Sequence, residues 1–155
     1  MMSARAIGFW MFVLLIGTGS AFGAGPELSD GQTLYVPVYS HIYGGPSSRT
    51  LNLAATLSVR NTDPAETITV TGADYYDTAG RLVKKVLNVP AVLGPMSTWE
   101  FIVPEQDEEG GSGANFIVRW TAKKEVNTPL VEAVMISTRS GLGISFTSRG
   151  KPIRE

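Results

Sequence analysis

Apolar and polar residues alternate along this chain with a period of two, in short blocks parted by Gly, Pro, Asn and Asp, and no stretch of ten residues keeps helical spacing. The cleanest block is RTLNLAATLSVRN, with Leu51, Leu53, Ala55, Leu57 and Val59 on one parity and Asn52, Thr56, Ser58 and Arg60 on the other. Successive side chains of a strand point to opposite faces, so this block predicts a strand with one oily side. NTDPAE then turns the chain, since Asn and Asp bond the local backbone and Pro64 fixes φ. LYVPVYSHIYGG has the same rhythm, setting Leu34, Val36, Val38 and Ile42 against Tyr35, Pro37, Tyr39, His41 and Tyr43. Proline has no N–H for a ladder, which predicts an edge strand over 34–39.

TITVTGADYYDTAGRLVKKVL reads as a hairpin turning at DTAG. Strict alternation would put Asp74 beside Ile68, Val70 and Tyr76, where an unpaired carboxylate is costly. A bulge at Gly72 relieves this and sends Tyr75 inward. Further on, STWEFIVPE buries Trp99, Phe101 and Val103, and ANFIVRWTA buries Phe116, Val118 and Trp120. PLVEAVMIST and GISFTSRG complete the set. VEAVMI is apolar on both parities, which predicts a strand covered on two sides. The acidic, glycine-rich segment from Pro104 to Ala114 predicts a mobile hairpin tip. Seven to eight short strands without helices predict an all-β domain: an immunoglobulin-like two-sheet antiparallel sandwich, with a small β-barrel as the alternative.

The blocks LYVPVYSHIY, LNLAATLSVRNTDP, VTGADYYDTAGRLV, GGSGANFIVRW and GISFTSRG, in this order, resemble a family of exported bacterial proteins catalogued as a domain of unknown function, number three-one-two-four. The resemblance spans Leu28 to Gly150. It implies a single exported domain and brings no reaction, cofactor or ligand with it.

The first residues, MMSARAIGFWMFVLLIGTGSAFGAGP, join Arg5 to an apolar run from Ala6 to Ile16 and then to small residues. The run is short for a bilayer span, which takes roughly 20 apolar residues. Its composition is that of a secretory signal peptide. Residues 1–23 are expected to be removed after Gly23, leaving one domain, 24–155, in the periplasm or outside the cell. An uncleaved anchor is the alternative, and would be this chain's one contact with a membrane. With no cysteine the domain forms no disulfide and carries no lipid on an N-terminal Cys. Net charge is −1, and Lys84–Lys85 and Lys123–Lys124 are isolated pairs. No basic stripe marks the phosphate contacts of a nucleic-acid binder, so that class is set aside.

The chemistry available is narrow. Nucleophilic hydrolysis needs Ser or Cys beside a His; His41 is the one histidine, and no serine stands in a nucleophile-elbow pattern. One histidine without cysteines cannot build a zinc site. EQDEEGGSGAN, residues 105–115, offers Glu105, Asp107, Glu108, Glu109 and loop carbonyls, so calcium is the cofactor that segment could serve, against the plainer reading of a solvated loop. Its glycines lack the Lys and Ser/Thr of a phosphate loop. Glu132, among apolar neighbours, calls for a partner, and Arg119 or Arg149 on an adjacent strand would supply one. Tyr35, Tyr39, His41 and Tyr43 form the candidate ligand face, since tyrosine pairs an apolar body with a hydroxyl. The same row also suits the solvent side of an edge strand.

Three functions fit. One is a non-catalytic exported module that binds an envelope protein or glycan through Tyr35–Tyr43 or a sheet edge. Another is a hydrolase of envelope polysaccharide or peptide using Glu132 with Asp74 or Asp77. The last is a calcium-dependent binding module acting through the 105–115 loop.

Overall fold

A computed structural model describes residues 27–45, 49–137 and 143–154; the expected signal segment and its cleavage point lie outside the described residues. Among the described residues there are twelve strands and no helix: β1 (Leu28–Pro37), β2 (His41–Tyr43), β3 (Thr50–Asn52), β4 (Ala54–Arg60), β5 (Ile68–Tyr76), β6 (Leu82–Lys85), β7 (Ala91–Leu93), β8 (Thr98–Val103), β9 (Asn115–Asn127), β10 (Leu130–Ser137), β11 (Ile144–Arg149) and β12 (Lys151–Ile153). A six-stranded sheet runs β12-β1-β9-β5-β6, with β7 also on β5. A four-stranded sheet runs β11-β10-β4-β8, and β2-β3 is a separate hairpin. Neither large sheet closes on itself, so the fold is a β-sandwich and not a barrel. Strands exceed the predicted number because β2, β3, β7 and β12 have three residues each, too few for alternation to register.

The core follows from the alternation. Leu34, Val36, Ile68, Val70, Phe116, Val118 and Trp120 face inward from the larger sheet, meeting Leu57, Val59, Val131, Ala133 and Met135 from the smaller. Phe101 of β8 meets Phe116 of β9 edge-on at 6.2 Å, a direct contact between the sheets. Each large apolar side chain so buried contributes roughly 1.5–3 kcal/mol, largely offset by chain entropy.

The bulge expected at Gly72 is present. Register between β5 and β9 slips between Val70 and Gly72, and the buried set passes from Ile68 and Val70 to Ala73 and Tyr75. Asp74 therefore points outward, where its Oδ2 accepts a hydrogen bond from Arg119 Nη1 at 2.8 Å. A second slip lies in β1 between Ser29 and Gly31.

Two expectations are corrected. β1 is not an edge strand, because β12 pairs with its outer side at Thr33, Leu34 and Tyr35. Pro37 is tolerated as the last residue of β1, past the reach of β12, and its carbonyl accepts a hydrogen bond from the Ser148 hydroxyl. VEAVMI is covered on one side only. Val131, Ala133 and Met135 are buried, whereas Ile136 on the other face is 46% exposed. Its continuous apolarity reflects a greasy outer surface on an interior strand.

Between β11 and β12 the chain passes from one sheet to the other at Gly150, whose N–H donates to Val131 O at 2.8 Å. A Cβ there would lie 3.2 Å from Val131 O and Val36 Cγ2, and 3.3 Å from Leu34 Cδ2. A side chain at this corner would push those neighbours back by a few tenths of an ångström.

Candidate functional site

The four residues of the candidate ligand face do not share one surface. Tyr35, 37% exposed, stands on the outer face of the six-stranded sheet. Tyr39 follows the end of β1, and its ring meets Phe146 edge-on at 5.6 Å. His41 and Tyr43 sit together on β2 with ring centroids 5.5 Å apart, and Tyr43 is 64% exposed. Ser40 causes the division. Its backbone N–H donates to Gly111 O and its carbonyl accepts from Leu53 N–H, while its buried hydroxyl shares a 2.9 Å hydrogen bond with that of Tyr75. Burial pushes the Tyr75 phenol up, with the Ser40 hydrogen bond acting against it.

The same knot corrects the picture of 104–114 as a mobile tip. Gly110 O accepts from both Thr78 N–H and Thr78 Oγ1, and Gly113 N–H donates back to Thr78 Oγ1 at 3.0 Å. Gly110 is buried, and a Cβ on it would fall 1.9 Å from Tyr75 Oη. The loop is sewn to its neighbours by backbone that carries no side chain.

Three of its four carboxylates are likewise engaged. Glu105 accepts from Ser137 Oγ, Glu108 from Asn52 Nδ2, and Asp107 from Glu109 N–H. Among the described residues no three Asp, Glu, His or Cys side chains come together as a metal-ligating group. The candidate acids are also apart. Glu132 lies on the outer face of the four-stranded sheet, where Arg60 Nε stands 3.6 Å from it; Arg149 is its cross-strand neighbour. Arg119 belongs to the opposite face, paired with Asp74. Asp77 closes a turn, accepting from Ala79 and Arg81 N–H and from Arg81 Nε. Those Arg81 hydrogen bonds, backbone first, hold its carboxyl below the usual range. Asp63 is held low in the same way by N–H groups of Ala65, Asn127 and Glu66.

The surface with the most varied chemistry is the outer face of the six-stranded sheet. Register places Lys151, Tyr35, Ile117, Asp74 and Lys85 in one row across β12, β1, β9, β5 and β6. Residues directly opposite one another in neighbouring strands share a face, so the five side chains form a single stripe. Beside it lie two hollows. One, of about 560 Å³, is lined by Thr67, Thr69, Val92, Thr121 and Lys123. The other, of about 480 Å³, is lined by Gln32, Thr33, Thr71, Arg119, Thr121 and Ile153. Thr121 lines both, so the two hollows adjoin at that residue and together outline a groove. Gly31, next to the slip in β1, and Thr71, at the slip in β5, both line it. A bulge deepens local twist, and two of them dent what would otherwise be an even pleat.

Neither the threonines nor Lys123 stands out in the sequence as part of a site. The signal for them was TITVT, whose polar parity is entirely hydroxylated. Only the strand order shows that this parity meets Thr121 and Thr33.

No curated protein matches the chain. Among solved structures, one described as the crystal structure of Thermotoga maritima 1070 is similar, with 12% identity and a TM-score of 0.45, over 77% of this chain and 92% of that one. The model of a family described as a protein of unknown function, DUF3124, matches residues 31–153, and the chain belongs to that family.

Proposed function

We propose that this chain is a non-catalytic exported binding module of the bacterial envelope, and that it meets its envelope partner, protein or glycan, through the outer face of the six-stranded sheet. The observation that carries this reading is the in-register stripe from Lys151 to Lys85, with the half-exposed Tyr35 ring in it and a groove alongside. Exposed tyrosine among charged and apolar neighbours is what recognition surfaces use. Acid–base hydrolysis would need two acids facing one cleft; Glu132 and Asp74 stand on the outer faces of different sheets, and Asp77 is taken up by its turn with Arg81.

The test is positional. A photoreactive phenylalanine analogue in place of Tyr35 is expected to form adducts with an envelope component in living cells, and the same analogue in place of Ile136 is not. Equal adducts from both positions, or none from position 35, overturn the reading.

A further inference from the structure

The groove has a chemical character of its own. Its lining is rich in hydroxyls, from Thr33, Thr67, Thr69, Thr71 and Thr121, with the amide of Gln32 beside them. Cations surround it. Lys123 lines one hollow and Arg119 the other, while Lys85 and Lys151 end the adjacent stripe. Each nearby carboxylate has a partner: Asp74 pairs with Arg119, Glu66, itself in the wall of the first hollow, pairs with Lys124 at 2.9 Å, and Glu27 accepts from the Gln32 amide at 3.1 Å. No ion pair among the described residues neutralises Lys85, Lys123 or Lys151.

We infer that this groove binds an acidic glycan, a chain of sugars carrying carboxylates, laid across the strands. The inference rests on the reading of this face as the contact surface. From β7 to β12 the groove crosses four interstrand spacings, about 19 Å at the usual separation of strands. That length accommodates a short oligosaccharide.

Hydroxyls and the Gln32 amide can exchange hydrogen bonds with sugar hydroxyls, as both donors and acceptors. Lysine ammonium groups and the Arg119 guanidinium, oriented by Asp74, suit carboxylates. An extended peptide is served less well. Peptides commonly dock by adding a strand to a free edge or by filling apolar pockets, whereas this groove crosses β1, β9 and β5, whose backbones are paired on both sides.

The experiment titrates the full chain with three probes: an oligogalacturonate, the neutral maltohexaose, and poly-glutamate as an acidic peptide. Oligogalacturonate is expected to bind best. Its affinity should fall roughly tenfold when Lys123→Gln and Lys151→Gln are combined, and again when salt is raised. Thr69→Val with Thr121→Val should weaken it too, with the melting temperature unchanged, because valine keeps the shape and strand preference of threonine. Poly-glutamate binding as tightly as the oligosaccharide overturns the inference, since charge alone would then suffice. Tighter maltohexaose binding overturns it as well. If oligogalacturonate fails to bind while position 35 still forms adducts in cells, the glycan assignment falls and the contact face stands. Failure of both removes both.

Discussion

The two outer faces of this sandwich are built from the same alternation and differ in what it exposes. On the four-stranded sheet, Ile102 and Ile136 are 64% and 46% exposed, and Glu132 has Arg60 and Arg149 beside it. On the six-stranded sheet the outward positions add to apolar groups such as Ile117 and Val92 a set of hydroxyls, lysines outside any ion pair among the described residues, and Tyr35, over a surface dented beside two bulges. The difference teaches that composition alone does not make a site. An even pleat offers a partner only side-chain tips, while a slip in register opens a hollow whose walls are backbone and short polar groups.

The sharpest way to break this contrast is to defeat the bulge in β5. Inserting an alanine between Gly72 and Ala73 moves every later residue of β5 to the other face, which drives Asp74 inward and Tyr75 outward. Losing a buried aromatic and burying a carboxylate together cost more than about 4 kcal/mol, so the variant is expected to be unfolded by circular dichroism. A cooperative melt at the parental temperature would show that the bulge does not fix the groove.

Acid should act on neither face. Asp63 and Asp77 flank β5, and backbone N–H groups hold both carboxyls low. A carboxyl whose folded value lies below its unfolded one stabilises the fold above the unfolded value, near 3.9, and that stabilisation fades as pH drops toward the folded value. The melting temperature is thus expected to fall between about pH 5 and pH 3, and to fall less in the Asp63→Asn, Asp77→Asn protein. An unchanged slope in that variant would place the acid sensitivity elsewhere, including the faces.

A smaller effect separates the two ion pairs. Asp74–Arg119 is 2.8 Å long with side chains 16% and 32% exposed, and Glu132–Arg60 is longer and more open. Asp74→Ala is expected to cost about 1–2 kcal/mol in urea unfolding and Glu132→Ala less than about 1. The reverse order would make the four-stranded face the electrostatically built one. Smallest of all, Ile136→Thr should shift stability by under about 0.5 kcal/mol and leave glycan binding intact. Weakened binding would erase the distinction between the faces.

The layered fold was legible because alternation is a local property, and the bulge at Gly72 because burying Asp74 would have been so costly. Other features depended on partners far along the chain. Ser40 fits a strand as well as its neighbours do; what bends the chain there is a tyrosine hydroxyl 35 positions away. The acidic loop looked free because its fastening is Gly110 backbone against Thr78, which leaves no mark on a hydropathy pattern. Tyr35 could be picked out from composition. The threonine groove could not, because it exists only once β1, β5 and β9 lie side by side in register.

The turn at Gly150 has a consequence for how the molecule comes together. It delivers β12 to the open flank of β1, so that Tyr35 meets Lys151, a partner separated from it by most of the described chain. Contacts between such distant partners form late, because the intervening segment must surrender its freedom first. Until that last zipper closes, β1 presents a bare row of amides, and the nascent protein is at its most vulnerable to pairing with a stranger.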